Sequence, residues 1–265
     1  VRGGAEGSPT DRRGAAEHTA VKVEVFGKTD RGRARPDNED AFLVADLTDS
    51  CALRQSVVLE RKVGECGVLL VVADGMGGMA AGEVASGMAT HTIYTHLTEP
   101  ASEKATEPRL FAERLQEALE TANGDIHGYA LAHPELRGMG TTATAAGFLG
   151  DSVYVAHVGD SRAYLVRDRR IRQLTQDQSL AQNVILQALG PATDVRVAMT
   201  RQRVQRADIL VLCSDGLSNA VSSDEIADVV SGEAEVSAAC DRLVNLANER
   251  GGADNITIIL ARVAR

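Results

Sequence analysis

Residues 68–73 read VLLVVA, an unbroken apolar run that stops at Asp74-Gly75. A short run with no polar alternation suits a strand buried on both faces, because a strand wetted on one side would alternate. Such a strand needs neighbours on each side and a covering layer above and below. Residues 209–213, ILVLC, have the same character and lead through Ser214 into Asp215-Gly216. Two strands of this kind require a layered fold.

The rest of the chain supplies the layers. Val21, Val23 and Val25 alternate as a half-buried strand, and residues 41–45 form another. Residues 46–66, with Val57-Val58-Leu59 in the middle, read as a hairpin excursion. Apolar spacing predicts helices over 82–97 and 108–132, the second opening on Pro108 with a Leu110, Leu115 and Leu119 face. Runs at 141–148, 152–158, 162–166 and 172–174 are separated by Gly150-Asp151 and Gly159-Asp160, as antiparallel hairpins require. Helices are expected over 223–230 and 235–250, with a closing strand over 255–263. Strands outnumber helices, and helices come in pairs between β blocks. The expectation is an α+β fold in which two antiparallel sheets pack face to face with helices outside. Residues 20–265 are expected to form a single domain. Residues 1–19, rich in Gly, Ala and Arg without an apolar period, read as a disordered tail or a cloning remnant.

A formal net charge of −9 argues against nonspecific nucleic-acid binding, and 3% aromatic residues with no Trp leave few stacking platforms. An anionic substrate then needs a local reversal of the field, which bound cations supply. Cys51, Cys66, Cys213 and Cys240 form no C-x-x-C pair, so neither a zinc ribbon nor a thioredoxin-like site is expected. Cys213 reads as a small buried hydrophobe. No apolar stretch reaches the roughly 18 residues that span a bilayer, and no signal peptide is seen. The expectation is a cytoplasmic protein without membrane insertion.

Several carboxylates stand where strands end. Asp74, Asp160 and Asp215 follow apolar runs, and Asp254 precedes one. Strand ends hold ligands rigidly, and a following glycine lets a backbone carbonyl join a coordination shell. Hard cations such as Mg²⁺ or Mn²⁺ take oxygen donors of this kind. Asp-Gly is also a common turn dipeptide, and a single one after a strand is simply a turn. Arg35 in isolation is a surface arginine; its spacing before Asn38-Glu39-Asp40 gives it interest.

Seven segments occur in order: TDRGRARPDNED (29–40), VADGMGGMAAGEVAS (72–86), GMGTT (138–142), VGDSRAY (158–164), LTQDQS (174–179), LCSDGLSN (212–219) and GGADNITII (251–259). Together they resemble the motifs of the metal-dependent protein phosphatases, the type 2C serine/threonine phosphatases, in their compact bacterial branch. The likeness runs from Val21 to Val263. It implies a four-layer α-β-β-α sandwich, two antiparallel sheets flanked by helix pairs. It also implies hydrolysis of phosphoserine and phosphothreonine in proteins with two divalent metal ions, Mn²⁺ or Mg²⁺, and a third position besides. By resemblance Asp74 bridges the two ions, the Gly75 carbonyl completes the second, and Asp215 and Asp254 ligate the first. Glu39 and Asp40 hold metal-bound waters, Asp160 with Asp215 matches the third position, and Arg35 grips the phosphate. The implied nucleophile is a hydroxide bridging the metals, which attacks phosphorus without a covalent enzyme intermediate. Phosphorylated proteins, a serine/threonine kinase among them, are the implied partners in bacterial signalling, and a monomer is expected.

The chain departs from the family's pattern in places. Met76 stands where many eukaryotic relatives carry a histidine, Gln178 where a histidine is usual, and Asn219 where some relatives place a third-site carboxylate. Only Leu180 to Gln182 separate Ser179 from the segment beginning at Asn183, so the flap near 176–190 is expected to be shortened and the site more open. GMGTT reads as a turn feeding a buried strand, residues 75–82 lack the ending of a phosphate loop, and His157 reads as a satisfied buried histidine.

Overall fold

The computed structural model describes residues 21–49, 51–54, 58–77, 81–99, 107–181 and 184–264, with backbone alone over 181–185. Strands β1 (Lys22–Asp30), β2 (Asp40–Asp46), β3 (Cys51–Leu53) and β4 (Leu59–Lys62) lead to β5 (Val68–Met76). Helices α1 (Ala81–Thr98) and α2 (Pro108–Ala132) follow, then β6 (Gly140–Thr141), β7 (Ala143–Leu149) and β8 (Ser152–Val158). Next come β9 (Arg162–Arg167), β10 (Arg170–Gln173), β11 (Ser179–Ala181) and β12 (Val184–Ile185). The chain closes with β13 (Ala198–Arg203), β14 (Ile209–Cys213), α3 (Asp215–Ser218), α4 (Ser223–Gly232), α5 (Val236–Glu249) and β15 (Ile256–Ala264).

The strands form two antiparallel sheets and a separate β11–β12 hairpin. One sheet runs β10-β9-β14-β15-β1-β4; the other runs β13-β8-β7-β5-β2-β3, with β6 pairing β5. The two continuous apolar runs occupy interior positions: β5 lies between β2 and β7, and β14 between β9 and β15. Alternation sorts their side chains. Leu70 and Val72 of β5 meet Leu212, Ile259 and Ala261 between the sheets. Leu69 and Val71 face outward onto Ile93 of α1 and Leu115, Leu119 and Ile126 of α2. On the other side Val211, Ile258 and Leu260 pack against Ile226 of α4 and Leu243 and Val244 of α5. Three apolar interfaces therefore separate four layers, α-β-β-α, as expected. Full burial of each large aliphatic side chain in these interfaces is worth about 1.5–3 kcal/mol.

Helix α4 begins with a capping box: the Ser222 hydroxyl accepts from the Glu225 N–H while the Glu225 carboxylate accepts from the Ser222 N–H.

Some expectations shift. The excursion over 46–66 is not one hairpin, because β3 pairs β2 in one sheet and β4 pairs β1 in the other, so the segment crosses between sheets. Val57 lies outside the described residues, as do residues 1–19. Strand β10 starts at Arg170, ahead of the expected position, because Asp168 and Arg169 alone form the turn with φ of 50° and 62°. That pairing of positive φ values matches the twist of a tight hairpin. Strand β13, AMTRQR, adds to the expected elements: it is an edge strand that buries little and has no apolar alternation. All four cysteines are free, with Cys213 and Cys240 buried.

Candidate metal centre

The ends of β2 and β5 bring the first carboxylates together. In the antiparallel register Asp40 lies directly opposite Asp74. Asp74 is held by the segment GMGTT. Its N–H donates to the Thr142 hydroxyl at 3.1 Å, and its carbonyl accepts from the Thr142 N–H and the Thr141 hydroxyl, both at 2.9 Å. The Thr142 hydroxyl also meets the Ser161 hydroxyl at 2.8 Å, tying the β8–β9 turn to the end of β5. Gly75 is required by close approach: a Cβ there would lie 2.2 Å from the Gly82 carbonyl oxygen and 2.5 Å from that of Glu39.

The second sheet contributes the rest. Ser214, at the end of β14, donates to Asp40 Oδ2 at 2.8 Å and accepts from the Thr257 N–H at 3.0 Å, bridging the two sheets. Asn255 does similar work: its Oδ1 accepts from the Glu39 N–H at 2.8 Å, and its amide donates to the Arg31 and Asp37 carbonyls at 2.9 Å each. Asp215 opens α3, where the Asn219 amide donates to it at 3.2 Å. Arg35 donates to Asp254 Oδ2 at 2.7 Å.

Burial and mutual repulsion disfavour the charged forms of these acids. Desolvation first, then the charges of Asp215 and Asp254, push the Asp40 carboxyl up to about 7 against the hydrogen bond from Ser214. Asp74 is driven well above the ordinary carboxylate range by burial and by Asp40, Asp215, Asp254 and Asp160. Asp160 rises to about 6 through burial and Asp215, Asp215 rises through burial and Asp254, and Glu39 rises mainly through burial. Arg35 is the cation set against them, and its pKa is raised by Asp254, with Glu39 and Asp74 adding to the effect.

The donor set fits hard divalent cations. It consists of carboxylates and the Gly75 backbone, without sulfur or imidazole. Asp40 Oδ1 is buried with no hydrogen-bond partner, and an orphaned carboxylate oxygen in this position suits a metal-bound water. Among the described residues no three Asp, Glu, His or Cys side chains enclose an ion by themselves, so solvent and backbone oxygens belong to any shell formed here.

The structure thus gathers Arg35, Glu39, Asp40, Asp74, Gly75, Asp160, Asp215 and Asp254 at one end of the sandwich. Thr142, Ser161, Ser214 and Asn255 position them; their roles arise from cross-strand bonds, and only their places inside the ordered segments hinted at them. His157 is buried with Nδ1 bonded to Thr144 at 2.9 Å, yet its Nε2 has no partner, so the ring is satisfied at one nitrogen only. Burial pushes it down to about 4 and keeps it neutral. Gln178 pins the flap: its N–H donates to the Gly159 carbonyl at 2.7 Å, and its side chain accepts from the Gly159 N–H at 2.9 Å.

Comparison with known proteins places these features in a family context. The Protein phosphatase 2C family profile matches residues 52–261. The serine/threonine phosphatase stp of Listeria welshimeri is 36% identical, covering 88% of this chain and 93% of that protein. The structure of the S. agalactiae serine/threonine phosphatase superposes with a TM-score of 0.80 at 31% identity, over 91% of this chain and 100% of that one. The catalytic domain of the serine/threonine protein phosphatase PstP, solved in complex with two manganese ions, gives 0.75 at 30% identity, over 92% and 100%.

Proposed function

The chain belongs to the protein phosphatase 2C family, and on that footing we propose that Asp74 is the carboxylate shared by two divalent cations in the hydrolysis of phosphoserine and phosphothreonine. The enzyme class is that of the metal-dependent protein-serine/threonine phosphatases. One observation carries the assignment of the site: buried Asp40 and half-buried Asp74 stand opposite each other, with Asp215, Asp254 and Asp160 close enough to raise Asp74 further. Where these carboxyls are ionised, bound positive charge offsets their mutual repulsion.

In this reading the Asp74 carboxylate, the Gly75 carbonyl, Asp215 and Asp254 hold the two ions, Asp40 and Glu39 hold their waters, and Asp160 with Asp215 offers a third position. Bound cations supply a water of lowered pKa for in-line attack and neutralise charge on the phosphoryl oxygens. Arg35 leaves Asp254 to clamp the phosphoryl group. The pair is about half exposed on the arginine side, where such bonds are worth at most about 1 kcal/mol, so releasing it costs little. The planar guanidinium then binds two phosphoryl oxygens at once. No side-chain nucleophile is needed. Met76 offers no proton, so the leaving oxygen takes its proton from water.

The reading extends to the rim. The flap near 176–190 is a β11–β12 hairpin with Leu180 exposed, and we take it as shortened, giving an open site and a substrate preference of its own. Acting as a monomer in the cytoplasm on phosphorylated proteins, a serine/threonine kinase among them, also belongs to the proposal. No helix among the described residues is long and apolar enough to cross a membrane. The test is hydrolysis of p-nitrophenyl phosphate and a phosphothreonine peptide with Mn²⁺ and with chelator. Both activities are expected with the metal alone, and turnover that survives chelation overturns the reading.

A further inference from the structure

The β9–β10 hairpin sets Arg170 opposite Arg167 and Arg172 opposite Leu165. Paired residues share a face, and alternate residues along a strand repeat it. Leu165 packs in the core between the sheets, so Arg167, Arg170 and Arg172 point toward that same inter-sheet space. Elsewhere the space is filled by apolar packing. Here it opens, because β10 and β13 are outermost strands of their sheets and meet at one rim, where Arg172 bonds the Gln202 side chain and Arg167 the Arg203 carbonyl. The rim holds a cavity of about 540 Å³ lined by Leu165, Arg167, Asp168, Arg170, Ile171 and Arg172.

The charges in this cavity are unevenly paired. Arg167 is neutralised by Asp208 through bonds of 2.7 and 2.6 Å. Arg172 meets a neutral amide, and Arg170 has no hydrogen-bond or ion-pair partner among the described residues. Asp168 is the one acid of the lining. In a chain of net charge −9, this is a basic face whose lining also includes Leu165 and Ile171.

The hairpin also leads to the metal centre. Strand β9 starts just after Asp160, and β10 runs on through Leu174 to Gln178, which is bonded to Gly159. From Asp160 to the arginines is about 20 Å at ~3.3 Å per residue.

We propose that this arginine rim docks an acidic, extended segment of the phosphoprotein substrate while the phosphorylated residue occupies the metal centre. The proposal rests on the phosphoprotein reading above. At ~3.3 Å per extended residue, the acidic positions lie about six residues from the phosphorylated one. A short segment fits better than a long polyanion, which would run from the rim onto the acidic remainder of the surface.

The experiment compares two phosphothreonine peptides with the same core. One carries an Asp/Glu stretch about six residues away, and the other has Ser/Gly there. Each is assayed with Mn²⁺ on the full chain and on an Arg170→Glu/Arg172→Glu variant, with p-nitrophenyl phosphate as the control. The acidic peptide is expected to show kcat/KM about tenfold higher through a lower KM, and the variant to lose that preference while its p-nitrophenyl phosphate turnover is unchanged. Equal kcat/KM for the two peptides, or a preference that survives in the variant, overturns the docking. Failure of the native chain to hydrolyse p-nitrophenyl phosphate instead overturns the phosphatase reading. Fluorescence anisotropy of the labelled acidic peptide then still decides the docking: binding lost in the variant supports it, and no binding refutes it. Preferential binding of an oligonucleotide or anionic vesicles, abolished by the same substitutions, overturns the peptide as occupant.

Discussion

Asp40 and Asp74 stand directly opposite each other on adjacent antiparallel strands, with Asp40 bonded on one oxygen to Ser214 and left without a partner on the other. Like charges placed opposite each other weaken a sheet unless a cation lies between them.

The pH dependence of stability follows from that pair. Asp40 is raised to about 7, and Asp74 is also raised, chiefly by burial. Both folded-state values exceed the unfolded ones, so the protonated carboxyls favour the fold fully below about pH 4, and that contribution is lost as pH rises through about 7. The Tm of the metal-free chain is expected to fall between about pH 5 and pH 8. Mn²⁺ at about 100 times its Kd should add roughly 2.7 kcal/mol and raise Tm most at the higher pH. Scanning calorimetry with and without chelator checks both.

Thr142 holds Asp74 through its backbone and its hydroxyl. Thr142→Val leaves the Asp74 N–H without its acceptor, costing about 1–3 kcal/mol, and should lower kcat by roughly ten- to a hundredfold. Thr142→Ser keeps the oxygen and should restore most of it. Steady-state kinetics beside thermal melts separates misplacement from unfolding.

The sequence made the interior strands legible because both faces of β5 and β14 are buried, and it made the carboxylates legible because they end those strands within ordered segments. Ser214 and Asn255 were not legible as supports. Their bonds to Asp40 and Glu39 cross from one sheet to the other and depend on how the sheets pack. The opposition of Asp40 and Asp74 depends in turn on strand register, which no local pattern states. Strand β13 escaped because an edge strand with exposed arginines has no apolar period to read.

Arg35 is expected to act on substrate rather than on the fold. Arg35→Lys keeps the charge but loses the two-pronged geometry, so KM for p-nitrophenyl phosphate should rise about tenfold with a smaller change in kcat. Melting temperature should be nearly unchanged, because its bond to Asp254 is half exposed.

Ser222 offers a control remote from chemistry. Ser222→Ala removes the capping box of α4 and should cost about 1 kcal/mol, lowering Tm by roughly 2–4 °C. Activity at a temperature where both proteins are folded should not change.

The most direct test of the centre is equilibrium Mn²⁺ binding by titration calorimetry on the native chain, Asp74→Asn and Asp254→Asn. The native chain is expected to bind about two ions tightly, Asp254→Asn to lose one, and Asp74→Asn to lose both along with hydrolysis of the phosphothreonine peptide. An Asp74→Asn variant that still binds two ions with undiminished affinity, or still turns over substrate at the native rate, would contradict a shared Asp74 carboxylate.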